Sequence, residues 1–144
     1  MTTAARRRSQ PARGREQQSA DVPVQELDVL RTWHPNVLIG GRHEATAAAL
    51  HELQGVFRPI VVRWHVGAAL PVPPRDGART MILHDVDALS REEQQQLLRW
   101  LQEDFGTVQV VATTARPLWP LVESGCFDSS LYYALNVIYL KLSF

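Results

Sequence analysis

Lysine is almost missing from this chain. Among 15 basic residues the single lysine is Lys141, close to the carboxyl end. Any mechanism that needs a lysine earlier in the chain is thereby excluded. Cysteine is equally scarce: Cys126 stands alone, so no disulfide can form within the chain, and a reducing cytosol fits. No apolar run approaches the roughly 20 residues of a membrane span, so no membrane role is expected. The arginines near the start are not followed by the apolar stretch of a secretory signal. The formal net charge is +0, so no global field draws the chain toward nucleic acid or lipid. A cytoplasmic protein is the expectation.

What remains is one domain's worth of sequence behind an arginine-rich leader. Residues 1–25 hold Arg6, Arg7, Arg8, Arg13 and Arg15 among Gln, Ser, Ala and Pro, without a hydrophobic period. That composition reads as a disordered basic tail. The arginines have no aromatic neighbours to stack bases, so DNA contact by the tail is not expected. Residues 26–144 read as the folded domain. Strand-like runs at 36–39, 60–64, 80–83, 108–113 and 136–142 alternate with other segments. Helices are expected over 44–53, from 90 to about 105, and over 118–124. Ser90-Arg91-Glu92-Glu93 is a capping box, and behind it Leu97, Leu98, Leu101 and Phe105 share a face. Prolines 71, 73 and 74 with Gly77 make 71–79 a loop. Short strands rich in Val, Ile and Leu, separated by helices, indicate a parallel sheet covered on both faces.

Four segments carry a more specific signal. Thr80-Met81-Ile82-Leu83-His84-Asp85-Val86-Asp87-Ala88-Leu89 resembles the Walker B strand T-L-F-L-D-E-I-x-x-L of the bacterial sigma-54-dependent transcription activators. Gln94 to Glu103 resembles their next helix, Q-x-x-L-L-R-x-L-Q-E, and Val110 to Arg116 their sensor strand V-I-A-A-T-N-R. Gly125 to Val137 resembles G-x-F-R-E-D-L-Y-Y-R-L-N-V. All four occur in the family's order and spacing. Upstream, Val37-Leu38-Ile39-Gly40-Gly41 lies on the V-L-I-x-G that opens the Walker A loop, and Ala68-Ala69-Leu70-Pro71 echoes an A-A-L-P. The resemblance implies a reduced P-loop AAA+ core: an α/β fold of about five mostly parallel strands with helices on both faces. A receiver-like doubly wound domain shares the alternation, but needs acids after the first strand that Gly40-Gly41-Arg42 does not supply.

The same alignment marks departures from the family's chemistry. A P-loop holds phosphates with glycine amides and a lysine. Here Glu44 and Thr46 stand at the later glycines and Ala47 at the lysine. Losing one lysine–phosphate contact costs roughly 1.5–3 kcal/mol of binding. His84 replaces the magnesium-binding aspartate, and imidazole is a poor ligand for that hard cation. Asp85 replaces the water-orienting glutamate and is one methylene shorter. Ala115 takes the sensor asparagine's place, and Asp128 and Ala134 those of the two arginine fingers. In nucleotide hydrolases such a finger is worth about 10³–10⁵ in rate. The 71–79 loop stands where the family carries its sigma-54-gripping G-A-F-T-G-A loop, and the resemblance runs out before the helical lid and the helix-turn-helix.

The expectation is therefore a non-catalytic regulatory or interaction module, with neither catalytic residues nor metal. Gly40, Gly41, Arg42 and Asp85 would mark a vestigial nucleotide site, with no cofactor although ATP and magnesium are conceivable there. The alternatives are a residual ATP-binding protein or weak ATPase, and a nucleic-acid binder acting through its arginine tail. A protein partner is expected, either a second copy or an intact AAA+ activator, with Trp119, Tyr133 and Phe144 near the contact. Tyr132 and Tyr133 are read as packing residues, Gly40-Gly41-Arg42 as a tight turn, and Cys126 as a small apolar side chain in the core. His84, Asp85 and Asp87 read as polar strand-end residues rather than as a metal site.

Overall fold

The structure is a computed structural model that describes residues 22–104 and 106–144. Helix α1 (Val24–Trp33) leads into strand β1 (Val37–Gly40), and α2 (His43–Leu53) follows after only two residues. Strands β2 (Val61–Trp64) and β3 (Thr80–Leu83) flank the proline-rich loop. Helix α3 (Arg91–Glu103), strand β4 (Gln109–Thr114), helices α4 (Trp119–Glu123) and α5 (Ser129–Leu135), and strand β5 (Ile138–Lys141) complete the order. Helix α3 begins where the sequence says: the Ser90 side chain accepts from the Glu93 amide at 3.1 Å, and Glu93 Oε1 accepts from the Ser90 amide at 2.9 Å. Those two bonds satisfy amides that the first turn cannot pair internally.

All five strands run parallel, in the order β2-β3-β4-β1-β5. The period of two along each strand sorts the core into two layers. Val37 and Ile39, Ile82, Val111 and Leu140 face one side and pack with Leu30 of α1 and Ala49, Leu50 and Leu53 of α2. Leu38, Trp64, Met81, Leu83, Val110 and Ala112 face the other, against Leu97 of α3 and Leu131 and Leu135 of α5. The handedness of parallel crossovers explains the split. The chain moves toward one edge from β1 to β2 and toward the other from β3 through β4 to β5. Right-handed connections in opposite directions must lie on opposite faces. Strands β3 and β4 are buried at every position, which is why each carries an apolar run, Met81–Leu83 and Val110–Ala112, with its flanking threonines and Gln109 buried as well.

Two expectations need correction. The folded unit starts before residue 26: Val22 packs against the core and α1 begins at Val24. The rest of the expected tail, residues 1–21, lies outside the described residues, as does Phe105. The segment 24–33 is a helix, and Val22 and Leu27 pack against the core layer that Ile138 and Leu140 of β5 also join. Cys126 is exposed rather than in the core. Its backbone is what the fold uses: its amide donates to Leu121 O at 2.8 Å and its carbonyl accepts from the buried Gln94 side chain at 3.0 Å, while Phe127 enters the core.

Candidate functional site

In an open parallel sheet the natural crevice lies at the carboxyl ends of neighbouring strands whose following helices leave to opposite faces. Here those strands are β1 and β4, since α2 lies on one face and α4 with α5 on the other. The β1–α2 turn, Gly41-Arg42, opens into this place. The turn from β3 to α3 brings His84, Asp85 and Asp87 beside it, and the end of β4 brings Thr113 to Arg116.

Asp85 is the residue that joins these pieces. Its backbone is left-handed, with φ 57°, a conformation that aspartate tolerates better than most residues. Its amide donates to Thr113 Oγ1 at 3.0 Å, and Oδ1 lies 3.1 Å from Nε2 of His43, the first residue of α2. The structure therefore brings Asp85 to the Gly40–Arg42 turn, with His43 as the bridge. Asp87 is committed elsewhere: its carboxylate accepts from Arg116 Nε at 3.2 Å and from the Ala115 amide at 3.4 Å. His84 stacks on His65, with ring centroids 4.2 Å apart, and its Nε2 lies 3.4 Å from Arg63. Burial first, then the His65 ring and the Arg63 charge, push the His84 pKa down, against a smaller upward pull from Asp85. Among the described residues no cluster of three His, Cys, Asp or Glu side chains could hold a metal ion.

The turn itself is closed by the chain's own backbone. The Gly41 amide donates to Thr114 O at 3.1 Å and the Arg42 amide to Ser143 O at 2.8 Å. The Leu142 amide donates to Gly40 O at 2.7 Å, prolonging the β1–β5 pairing. Helix α2 is already formed at His43, so Glu44, Thr46 and Ala47 are helical residues, and the Thr46 amide donates to Arg42 O. The two glycines are explained by close approach. A Cβ on Gly40 would lie 2.7 Å from Phe144 Cζ and 2.9 Å from Tyr139 Oη; one on Gly41 would lie 2.9 Å from Leu142 Cβ and 3.0 Å from Ser143 O.

On the α4–α5 side the rings of Trp119, Tyr132 and Tyr133 form a cluster with centroid separations of 5.3 to 6.4 Å. Trp119 is 43% and Tyr133 62% exposed. Asp128 caps α5, its Oδ1 accepting from the Leu131 amide at 2.9 Å. Reading the sequence missed His43, Thr113 and Ser143 as parts of the site. His43 was adjacent to a named turn and could have been found from that; Thr113 acts through its hydroxyl and Ser143 through its carbonyl, both across long stretches of chain that no local pattern announces.

Comparison with known proteins points the same way. The sigma-54 interaction domain family matches residues 65–143. The DNA-binding transcriptional activator HyfR of Escherichia coli (strain K12) is 40% identical over 74 residues, covering 44% of this chain and 11% of that protein. The chain therefore spans only a small part of the curated relative it matches. Among solved structures, NtrX from Brucella abortus in complex with ATP superposes with a TM-score of 0.59 at 17% identity, over 92% of this chain and 39% of that one. The P-loop NTPase domain of a sigma-54 activator from E. coli gives 0.57 at 18% identity, over 83% of this chain and 90% of that one. These structural likenesses speak for the fold, a short P-loop AAA+ core of five parallel strands. With more than half of its residues matched, the chain belongs to the sigma-54 interaction domain family.

Proposed function

We propose that this chain is a non-catalytic regulatory or interaction module of transcription control, related to sigma-54-dependent activators and acting without ATP hydrolysis. The observation that carries the reading is the closed β1–α2 turn. A phosphate cradle needs a loop of free amides and a lysine. Here two residues separate strand from helix, both their amides are bonded within the chain, and the only lysine lies on β5. ATP with magnesium does not fit the remaining groups. Asp85 is held by His43, His84 by its stack on His65, and Asp128 serves as a helix cap. No hydrolytic step is assigned to any residue.

The module would work by docking a protein partner, a second copy or an intact activator, on the exposed aromatics of α4 and α5. Aromatic side chains bring large area at small entropic cost and dominate binding hot spots. Among the described residues no helix is long and apolar enough to cross a membrane, and a cytoplasmic setting suits the reading. Phosphate release by the purified chain should match a buffer blank across a range of magnesium, and a fluorescent ATP analogue should show no saturable binding. Steady turnover abolished by Asp85→Ala would instead establish a weak ATPase with a non-standard site.

A further inference from the structure

We propose that the segment Leu142–Phe144 is a built-in occupant of the β1–α2 turn, seated where a phosphate-bearing ligand would otherwise lie, so that tail and ligand exclude one another. The identification of this turn with the family's nucleotide site rests on the family relation, and the absence of nucleotide from it rests on the reading above.

Three kinds of contact seat the segment. Backbone bonds reach across it in both directions: the Leu142 amide donates to Gly40 O and Ser143 O accepts from the Arg42 amide. Bare backbone on the facing side lets it come close, since a Cβ at Gly40 or Gly41 would meet Phe144, Tyr139, Leu142 and Ser143 at 3.0 Å or less. Apolar side chains anchor its two ends. Leu142, half-buried, packs with the core layer under α1 and α2, and the Phe144 ring, 40% exposed, lies against Gly40 beside the Tyr139 hydroxyl. A ligand that took the Arg42 amide would have to displace the Ser143 carbonyl, and a phosphate over Gly40–Gly41 would have to move Phe144 and Leu142 together. The glycine pair, which in a P-loop frees backbone for phosphate, here frees it for the chain's own segment after β5. The tail thereby ties β1, β5 and the start of α2 to one another, a bridging task that a bound ligand at such a crevice would perform from outside.

The test is nuclear magnetic resonance on the full chain. Wild-type protein should show nuclear Overhauser contacts between the Phe144 ring and the Gly40 α-protons, and slow exchange at the Arg42 amide. Phe144→Ala should speed Arg42 exchange by about tenfold or more, the scale of one lost hydrogen bond, with the Val111 amide of β4 unchanged. Gly40→Ala, which pushes on the same ring, should do the same. Should both variants fail to fold, the wild-type contacts and the Arg42 rate still decide. Absence of those contacts, Arg42 exchange at the free-chain rate, or folded variants with unaltered Arg42 exchange would overturn the proposal. A non-hydrolysable ATP analogue in millimolar excess separates the two readings. Binding that releases the Arg42 amide would support the tail as occupant and refute the nucleotide-free function. Binding with the tail still seated would overturn mutual exclusion itself.

Discussion

At the scale of single residues, the histidines make stability depend on pH. His34 ends α1 in the left-handed region, with φ 50°, and its Nδ1 is enclosed without a partner among the described residues. Burial first, and then the nearby Arg58 charge, lower its pKa from the usual 6.5. His84 is lowered in the same direction. A depressed histidine pKa means that the unfolded chain binds the proton more readily. Stability is then fully present above pH 6.5 and is lost as pH falls from 6.5 through the folded-state values. Melting temperature should therefore drop between neutral pH and mildly acid buffer. His34→Asn, which tolerates the same backbone conformation, should flatten part of that slope; an unchanged slope in both His34→Asn and His84→Asn would assign the effect elsewhere. Residue identity misjudged Cys126, because composition speaks for how often a cysteine is buried and not for which way one turn points it.

At the scale of elements, helix α3 is the one most fully written in local sequence. Ser90→Ala removes the side-chain half of the capping box and should cost about 1 kcal/mol, read from chemical denaturation. Leu97 is fully buried against the sheet, and Leu97→Ala should cost about 2–5 kcal/mol. Near-equal costs would mean that the helix is held by its cap as much as by its face. Two helices escaped the sequence reading. In α1 only Leu30 is buried, the residue before it is Pro23 with no capping side chain, and Val24 and Trp33 are exposed, so the apolar face is faint. Helix α5 is seven residues long with two tyrosines, too short for a period to declare itself. Both form because tertiary burial holds them, through Leu30 in one case and Leu131 and Leu135 in the other.

At the scale of the whole molecule, the question is what the fold leaves uncovered. Val37 to Gly40 and Gln109 to Thr114 are sealed between helices, whereas β5 is an edge strand whose Leu140 is buried and whose Ile138 and Tyr139 are half-buried. Val22 just before helix α1 and Leu27 within it pack on the same core layer as Ile138 and Leu140 of β5. The aromatic cluster remains. Tyr133→Ser should change stability by no more than about 0.5 kcal/mol, since the ring is mostly exposed, yet weaken association with the partner or a second copy in sedimentation. A variant that melts much earlier would make Tyr133 part of the core instead of a contact residue.

Sequence by itself determined the family relation and the parallel α/β class, because motif order and strand composition are written in the chain without reference to its folding. Tertiary structure alone decided that the Gly40–Gly41 turn is closed by Leu142–Phe144 and that α1 and β5 share one core layer. It also decided that Asp85 is bonded to His43. Those contacts join residues far apart in the chain, and only the parallel sheet, by setting the ends of β1, β4 and β5 side by side, brings their backbones within bonding distance.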